Sequence, residues 1–214
     1  MLLKLGLGRS IRHQRNSTVY YQGDPADALF YVTAGRILLT TVSSRGKESV
    51  LGVVGAGEFL GESCVAEDSC RTSSALALEN SLVIRVERQA VRQLLLQSPG
   101  FAQAFIDHLL ARNRNIQEDM ADLLSSPSER RLARVLLRLA HNGGSTPGRR
   151  NVPRISQATL AAMVGTTRSR ISFFLGKFRR MGAIEYDRGI WIDSDRMGAM
   201  LGEESTFQSN DMIL

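Results

Sequence analysis

Short runs of apolar residues alternate with glycine-containing breaks between about residues 17 and 87. Each run is four to seven residues long, which is the usual length of a strand in a buried or half-buried sheet. The breaks contain residues that turns favour, such as Gly23-Asp24-Pro25 and Gly55-Ala56-Gly57. The pattern therefore predicts an all-β barrel or sandwich, with strands at 18–21, 29–32, 36–42, 49–54, 74–78 and 82–86.

Helical spacing replaces these short runs at Arg88. The pattern predicts a helix over 88–97, a break at Ser98-Pro99-Gly100 and a long helix to about residue 125. Apolar positions on the long helix follow a 3-4-3-4-3 spacing with one polar member: Ile106, Leu109, Asn113, Ile116, Met120 and Leu123. This narrow seam is typical of a two-stranded coiled coil, in which a buried asparagine fixes the register. The seam predicts a homodimer, and the alternative is that it packs on the chain's own β domain.

A second domain follows the helix-breaking segment 125–128. A helix is predicted over 129–141, a basic glycine-rich loop over 142–150 and a disordered tail from about residue 202. Residues 157–176 have the spacing of a helix-turn-helix. Ala161 permits close approach of two helices, and Gly165 suits a positive-φ turn between them. The apolar residues fall at the positions that such a pair buries: Leu160, Val164, Ile171 and Phe174.

The caps and the wing complete this motif. Ser156 suits the N-cap of the first helix, and either Thr166 or Thr167 suits that of the second. The apolar runs at 184–186 and 190–192 flank Asp187-Arg188-Gly189 and predict a hairpin, the wing of a winged helix. The residues predicted to meet DNA are Ser156, Gln157, Thr167, Arg168, Ser169, Arg170, Ser172 and Phe173.

Three of these residues carry distinct expectations. Arg168 is the expected base reader, because its planar fork matches the O6 and N7 acceptors of guanine. Arg170 suits either a base or a phosphate. Phe173 flanks the core residue Phe174 on the outward side, where it either packs against the wing or touches a thymine methyl.

The charge of the chain is distributed unevenly. Residues 1–125 carry 13 Lys/Arg and 13 Asp/Glu, whereas residues 126–196 carry 14 Lys/Arg and 5 Asp/Glu. The net charge of +6 therefore comes from the region of the helix-turn-helix. Such asymmetry indicates a polyanionic partner, in agreement with DNA, although a basic solvated face is the plainer interpretation.

Several other classes of protein fit the sequence poorly. Cys64 and Cys70 are too few for a disulfide framework or an iron–sulfur cluster in one subunit, although a regulatory disulfide between them stays open. A haem sensor would need an axial ligand such as His108. The sequence has no apolar run of spanning length and no nucleophile–base set, so we expect a cytoplasmic protein that is not an enzyme.

Motifs in order along the chain identify a family: Gly23-Asp24-x-Ala26, Leu29-Phe30-Tyr31-Val32, Gly35, Phe59-Leu60-Gly61-Glu62 and Arg71-Thr72. With the helix-turn-helix, they resemble the family of the cyclic-AMP receptor protein and the fumarate–nitrate reduction regulator over nearly all of 15–196. The resemblance implies an α+β fold: a cyclic-nucleotide-binding β-roll over 1–98, a dimerisation helix over 99–126, a winged helix-turn-helix over 127–201 and a flexible tail over 202–214.

The resemblance also implies a ligand. In family members that bind cyclic nucleotides, a Gly-Glu-x segment holds the ribose 2′-hydroxyl and an Arg-Ser/Thr pair holds the cyclic phosphate. It implies cyclic AMP or cyclic GMP as effector, with no metal or covalent cofactor. The ligand residues implied here are Gly61, Glu62, Ser63, Arg71, Thr72, Ser73, Asn113, Ile116 and Gln117. The alternative is that Arg71 and Glu62 pair with each other and bind no ligand.

Departures from the motifs of the family leave open which nucleotide base the ligand site accepts and which DNA sequence the protein prefers. Cys64 stands where the family usually has a small residue, and Ser73 stands where it usually has alanine. Ile116-Gln117 replaces the pair that contacts adenine. On the second helix of the motif, Ser169 and Phe173 replace a glutamate and an arginine. The expected partners are double-stranded DNA as an inverted repeat and a second copy of the chain, with RNA polymerase open. The rival function is the same DNA-binding dimer with no ligand or another effector, redox included.

Overall fold

The computed structural model describes residues 8–66, 69–141, 149–187 and 189–201. The chain divides into two units, Met1–Leu124 and Ser125–Leu214. The tail predicted over 202–214 and most of the loop predicted over 142–150 lie outside the described residues, as does Arg188 in the hairpin turn.

Two four-stranded antiparallel sheets form the β part of the first unit. The first has the order β1-β8-β3-β6, with strands Arg9–His13, Ser81–Glu87, Ala28–Ala34 and Phe59–Leu60. The second has the order β2-β7-β4-β5, with strands Thr18–Tyr20, Ser74–Ala77, Ile37–Val42 and Glu48–Val54. The predicted strands all lie within these elements or within one or two residues of them. The sequence did not predict β1 or β6.

Alternation along β3 separates two hydrophobic clusters. Ala28, Phe30 and Val32 belong to the cluster that residues of both sheets share. Leu29, between them, belongs to the second cluster, which includes Phe101 of the long helix. Because successive side chains of a strand point to opposite faces, β3 links the sheets on one side to the helices on the other.

Besides a short 3₁₀ helix, the described residues of the first unit form two α-helices, α1 over Arg88–Gln97 and α2 over Pro99–Ser125. Pro99 is the first residue of α2 rather than part of a longer break, because proline is tolerated in the first helical turn. On α2, Phe101 and Phe105 are buried against Phe59 of β6, with ring centroids 6.0 Å away in each case.

The predicted seam lies on another face of α2. Its five apolar members, Ile106, Leu109, Ile116, Met120 and Leu123, are between 39% and 63% exposed in the single chain, and Asn113 is exposed as well. The alternative that this face packs on the chain's own β domain is therefore wrong.

The described part of the second unit contains four α-helices and a small sheet. The helices are α3 over Ser128–His141, α4 over Gln157–Val164, α5 over Arg168–Arg180 and α6 over Ser194–Leu201. The antiparallel sheet has the order β10-β11-β9, with strands Ile184–Tyr186, Ile190–Asp193 and Arg149–Val152. The predicted hairpin is β10 and β11. The sequence did not predict β9, which extends this hairpin, or α6.

Candidate functional site

A tight turn at Gly61 leads from β6 into a short 3₁₀ helix, Glu62–Val65. Gly61 has a φ of 81°, in the left-handed region that favours glycine. A Cβ at this position would also collide with the guanidinium of Arg71. The turn therefore requires glycine both for its backbone conformation and for the space that Arg71 occupies.

Arg71 lies in the interior of the first unit and is 3% exposed. Its Nη1 donates to the carbonyl oxygen of Gly61 at 3.0 Å, and its Nη2 donates to that of Ala28 at 2.7 Å. The carboxylate of Asp27 lies 3.6 Å from Nη2, and the guanidinium carbon lies 4.5 Å from the centre of the Tyr20 ring. Nε has no hydrogen-bond partner among the described residues. An enclosed cation with an unsatisfied donor is suited to an anionic ligand.

Glu62 contacts the long helix rather than Arg71. Its Oε1 lies 3.0 Å from Nε2 of His108 and 3.3 Å from Nη1 of Arg112. Burial by itself raises the pKa of the Glu62 carboxyl, but the His108 hydrogen bond and the Arg112 charge outweigh it and hold the pKa below its usual value. The alternative in which Glu62 and Arg71 pair with each other is wrong.

Hydroxyl groups lie beside these charges. Burial raises the pKa of the Tyr20 hydroxyl, and the charge of the nearby Arg71 and the Ser73 side chain oppose this rise only in part. Thr72 is exposed, and Ser63 is half-buried with its carbonyl oxygen accepting from Ser69 Oγ at 2.6 Å. The structure thus brings together six of the predicted ligand residues: Gly61, Glu62, Ser63, Arg71, Thr72 and Ser73.

The other three predicted ligand residues are not joined to this group in the single chain. Asn113, Ile116 and Gln117 are exposed on α2. They begin one residue beyond Arg112 and belong to the seam face or its margin.

Sequence reasoning missed Tyr20 and Arg112 as members of the group, and it considered His108 only as a haem ligand. The signal for the two helix residues is a second row on α2, at Phe101, Phe105, His108 and Arg112, with the same 4-3-4 spacing as the seam. The row starts with two aromatic core residues and ends with two cationic or titratable ones. The edge of His108 packs against the Phe59 ring at 5.3 Å between centroids.

The two cysteines differ in environment. Cys64 is buried in the 3₁₀ helix, and burial raises the pKa of its thiol to about 11, which disfavours the reactive thiolate. Cys70 is exposed and pairs through its backbone with Pro25. In the described part of the chain, no group of three or more His, Cys, Asp or Glu residues is placed to hold a metal. Nor does any helix described there have the length and apolarity to cross a membrane.

The helix-turn-helix in the second unit is formed by α4 and α5. Ser156 caps α4 by accepting from the Thr159 amide at 2.9 Å, and Gly165 ends it with a φ of 68°. Thr167 rather than Thr166 caps α5, accepting from the Arg170 amide at 3.3 Å. The predicted interhelical residues are all buried: Leu160, Ala161, Val164, Ile171 and Phe174.

The remaining residues of α5 form an exposed, basic face. Its members are Arg168, Ser169, Arg170, Ser172 and Phe173, followed by Arg179 and Arg180 at the end of the helix. In the described residues, the guanidinium groups of Arg168 and Arg170 make no hydrogen bond or ion pair. Gln157 is half-buried at the start of α4, and the Ser156 hydroxyl is already engaged in its cap.

Phe173 departs from the expectation that it packs against the wing. Its side chain is 63% exposed, and its ring contact is with Phe174 of the same helix, at 5.8 Å between centroids. The aromatic residues of the wing have other partners: the Trp191 indole donates to the Asp187 carbonyl oxygen at 2.9 Å, and the Tyr186 ring lies 5.8 Å from the guanidinium carbon of Arg179. An apolar ring therefore stands in solvent on an otherwise polar helix face.

Family models match both units of the chain. The model of the cyclic nucleotide-binding domain matches residues 10–98, and that of the Crp-like helix-turn-helix domain matches residues 130–197. The chain belongs to the CRP/FNR family of transcription regulators.

Named relatives agree with this assignment. The CRP-like cAMP-activated global transcriptional regulator of Mycobacterium tuberculosis is 27% identical over 86% of this chain and 84% of its own length. The cyclic AMP receptor protein of Thermus thermophilus is 29% identical over 83% and 80%. FixK2 from Bradyrhizobium japonicum is similar in fold, with a TM-score of 0.76 at 17% identity over 90% of this chain and 96% of that one.

Membership of the CRP/FNR family makes the helix-turn-helix the DNA-binding element of this regulator. In a helix-turn-helix the second helix is the recognition helix, and α5 has that position here. The exposed face of α5 is basic, and binding to phosphates requires positive charge of this kind. The confirmed architecture is a β-roll, a long helix and a winged helix-turn-helix.

Proposed function

We propose that this regulator is a homodimer that binds an inverted DNA repeat and is gated by a cyclic nucleotide, cyclic AMP or cyclic GMP, in its β-roll. The observation that carries the ligand proposal is the enclosed Arg71 guanidinium, whose Nε–H lacks a partner among the described residues. A guanidinium fork beside the hydroxyls of Thr72 and Ser73 matches a singly charged cyclic phosphate.

Glu62 links the proposed ligand to the long helix. A carboxylate accepts hydrogen bonds from ribose hydroxyls, and Glu62 now accepts from Arg112 and contacts His108. A ribose that binds at Oε1 of Glu62 would therefore compete with His108 and Arg112 of α2 for that oxygen atom. Ligand binding would in this way alter the contacts of the helix that carries the dimer seam, and such differential contacts are what gating requires.

One observation favours the second candidate, a DNA-binding dimer with no cyclic nucleotide. Arg71 already donates to two carbonyl oxygens and lies near Asp27, and Glu62 already has two partners. A site whose charges are satisfied by the protein is stable without a ligand, and the fold persists in families that have lost the ligand.

Titration calorimetry of the full-length protein with cyclic AMP and then cyclic GMP separates the two candidates. If a cyclic nucleotide gates the protein, we expect saturable heat of binding with one of the two nucleotides. The affinity for DNA should then change when that nucleotide is present. If neither nucleotide binds and DNA affinity stays constant, the ligand-independent form is correct.

The dimer and DNA proposals rest on separate surfaces. The exposed seam of α2, within residues 99–126, supplies the interface with the second copy. Two recognition helices related by a two-fold axis lie about 34 Å apart, which fits half-sites one helical turn apart. Residues 127–201 would form the DNA-binding domain of the regulator. RNA polymerase would be a further partner in the cytoplasm.

Arg168→Ala should weaken binding to the preferred site by about 1–3 kcal/mol and relax the preference at one base pair in each half-site. Arg168 is exposed in the first turn of α5 and its guanidinium has no partner in the described structure, so it is available to guanine O6 and N7. Selection of sites from random DNA with wild type and variant measures this directly.

Arg180→Ala is the matched control for that experiment. Arg180 lies at the opposite end of the same helix and is also exposed. Its loss should weaken binding to all DNA sequences alike and reduce the salt dependence of the affinity, as expected for a phosphate contact. If Arg168→Ala behaves as this control does, with no change in base preference, then Arg168 contacts a phosphate and the base assignment is wrong.

A further inference from the structure

The exposed face of α5 contains one large apolar group, the phenyl ring of Phe173. The ring is 63% exposed and contacts Phe174 at an interplanar angle of 67°. On the helix, Phe173 lies one turn after Ser169 and adjacent to Ser172, both of which are exposed. Phe173 thus shares the face that the helix-turn-helix presents to the major groove.

The charges around the ring indicate what covers it. Arg168, Arg170, Arg179 and Arg180 are exposed on the same helix. A second protein surface placed over the ring would have to neutralise these groups, whereas the DNA backbone supplies the opposite charge on both sides of a groove. The occupant that matches both the charge and the position is the floor of the major groove.

The chemistry of the ring then selects one feature of that floor. A phenyl group has no hydrogen-bond donor or acceptor, and the apolar feature that an unmodified base pair presents in the major groove is the C5-methyl group of thymine. Contact with this methyl group removes apolar surface of both partners from water. Contact with an acceptor or donor on a base edge would instead leave that polar group unsatisfied.

We propose that Phe173 is a specificity-determining residue that recognises a thymine methyl group in each half-site. This proposal rests on the proposed sequence-specific DNA binding and extends it from Arg168 to a second position. Apolar contact with the methyl replaces the hydrogen bonds that a polar residue would make there. The base pair it reads is distinguished by a methyl group and not by a donor–acceptor pattern.

Replacement of thymine by uracil tests the proposal, since it removes the methyl group and leaves base pairing unchanged. Binding of wild type to a duplex taken from the selection experiment is measured by fluorescence anisotropy, with uracil at one symmetric pair of positions at a time. At one pair of positions we expect the affinity for the duplex to fall about fifteenfold. The methyl group lost in each half-site accounts for about fourfold of this, or about 0.8 kcal/mol. The other pairs should have little effect.

Two variants assign the effect to the ring. Phe173→Ala should bind the thymine and uracil duplexes about equally, whereas Phe173→Leu, which keeps an apolar side chain, should retain part of the difference. Met181→Ala removes a comparably exposed apolar side chain just after α5 and should leave the wild-type difference intact. Because Phe173 is mostly exposed, the variants should fold, which circular dichroism checks.

The outcomes separate this proposal from the one on which it rests. If no uracil position affects wild type, or if Phe173→Ala keeps the full difference, Phe173 does not read a methyl group, and sequence-specific binding still stands. If the random pool yields no preferred site, specific DNA binding is refuted and the role of Phe173 is refuted with it.

Discussion

Ile116→Asp should convert the protein from a dimer into a monomer and abolish binding to the inverted repeat. Ile116 is 58% exposed in the single chain, near the middle of the seam, and its symmetry mate is expected to lie opposite it. The substitution places two like charges in a dry interface. At about 3–5 kcal/mol for each of the two buried unpaired charges, the dimer dissociation constant should rise by about four to seven orders of magnitude.

Analytical ultracentrifugation measures this change, with Asn115→Asp as the matched control. Asn115 is also exposed on α2, one position from Ile116 and therefore on a different face, so the same charge is added outside the seam. The control should remain a dimer. If Ile116→Asp also sediments as a dimer at the same concentration, the interface lies elsewhere on the protein.

The strands and helices that sequence analysis located are those whose hydrophobic pattern is local. β3 and β4 are rich in apolar residues, and α1 follows its helical period from Arg88 to Gln97. β1 escaped prediction because Ile11 is its one large apolar residue and its hydrogen bonds come from β8, about 70 residues away in the sequence. Such a strand is specified by its partner and not by its own pattern.

Sequence analysis of the long helix is limited in the same way, because it does not show which face of the helix packs against the β domain. Two rows of α2 have coiled-coil spacing, and sequence analysis identified only the seam from Ile106 to Leu123. Which row packs on the β domain depends on residues far away in the chain. Phe59 packs against Phe101 and Phe105 of one row. Glu62 contacts His108 and Arg112, which continue the same row along the helix.

The turn of the candidate site could be predicted from the sequence, but the partners of the Glu62 carboxylate could not. Gly61 and Arg71 belong to motifs that are short and ordered along the chain. The partners of Glu62 lie 46 and 50 residues away, so that no spacing rule connects them. Exposure of Phe173 was likewise unpredictable, since an aromatic residue beside a buried one is as consistent with packing on the wing as with a free ring.

Arg71→Ala should lower the affinity for the cyclic nucleotide at least tenfold. The substitution removes the one enclosed guanidinium of the proposed phosphate site, and a charge-assisted hydrogen bond contributes about 1.5–3 kcal/mol. It also removes the donors to the carbonyl oxygens of Gly61 and Ala28. The Gly61 oxygen keeps the Cys64 amide as a donor, but two buried hydrogen bonds from a charged group are lost, at about 1.5–3 kcal/mol each, so the melting temperature should fall as well.

Thr72→Val separates the two effects, because the exposed Thr72 hydroxyl makes no hydrogen bond in the described structure. This variant should bind the nucleotide more weakly than wild type while its melting temperature stays the same. Calorimetry at a temperature at which Arg71→Ala remains folded by circular dichroism then measures binding alone. If the folded Arg71→Ala protein binds cyclic nucleotide with wild-type affinity, the anion is held by other residues, and the phosphate site does not lie at Arg71.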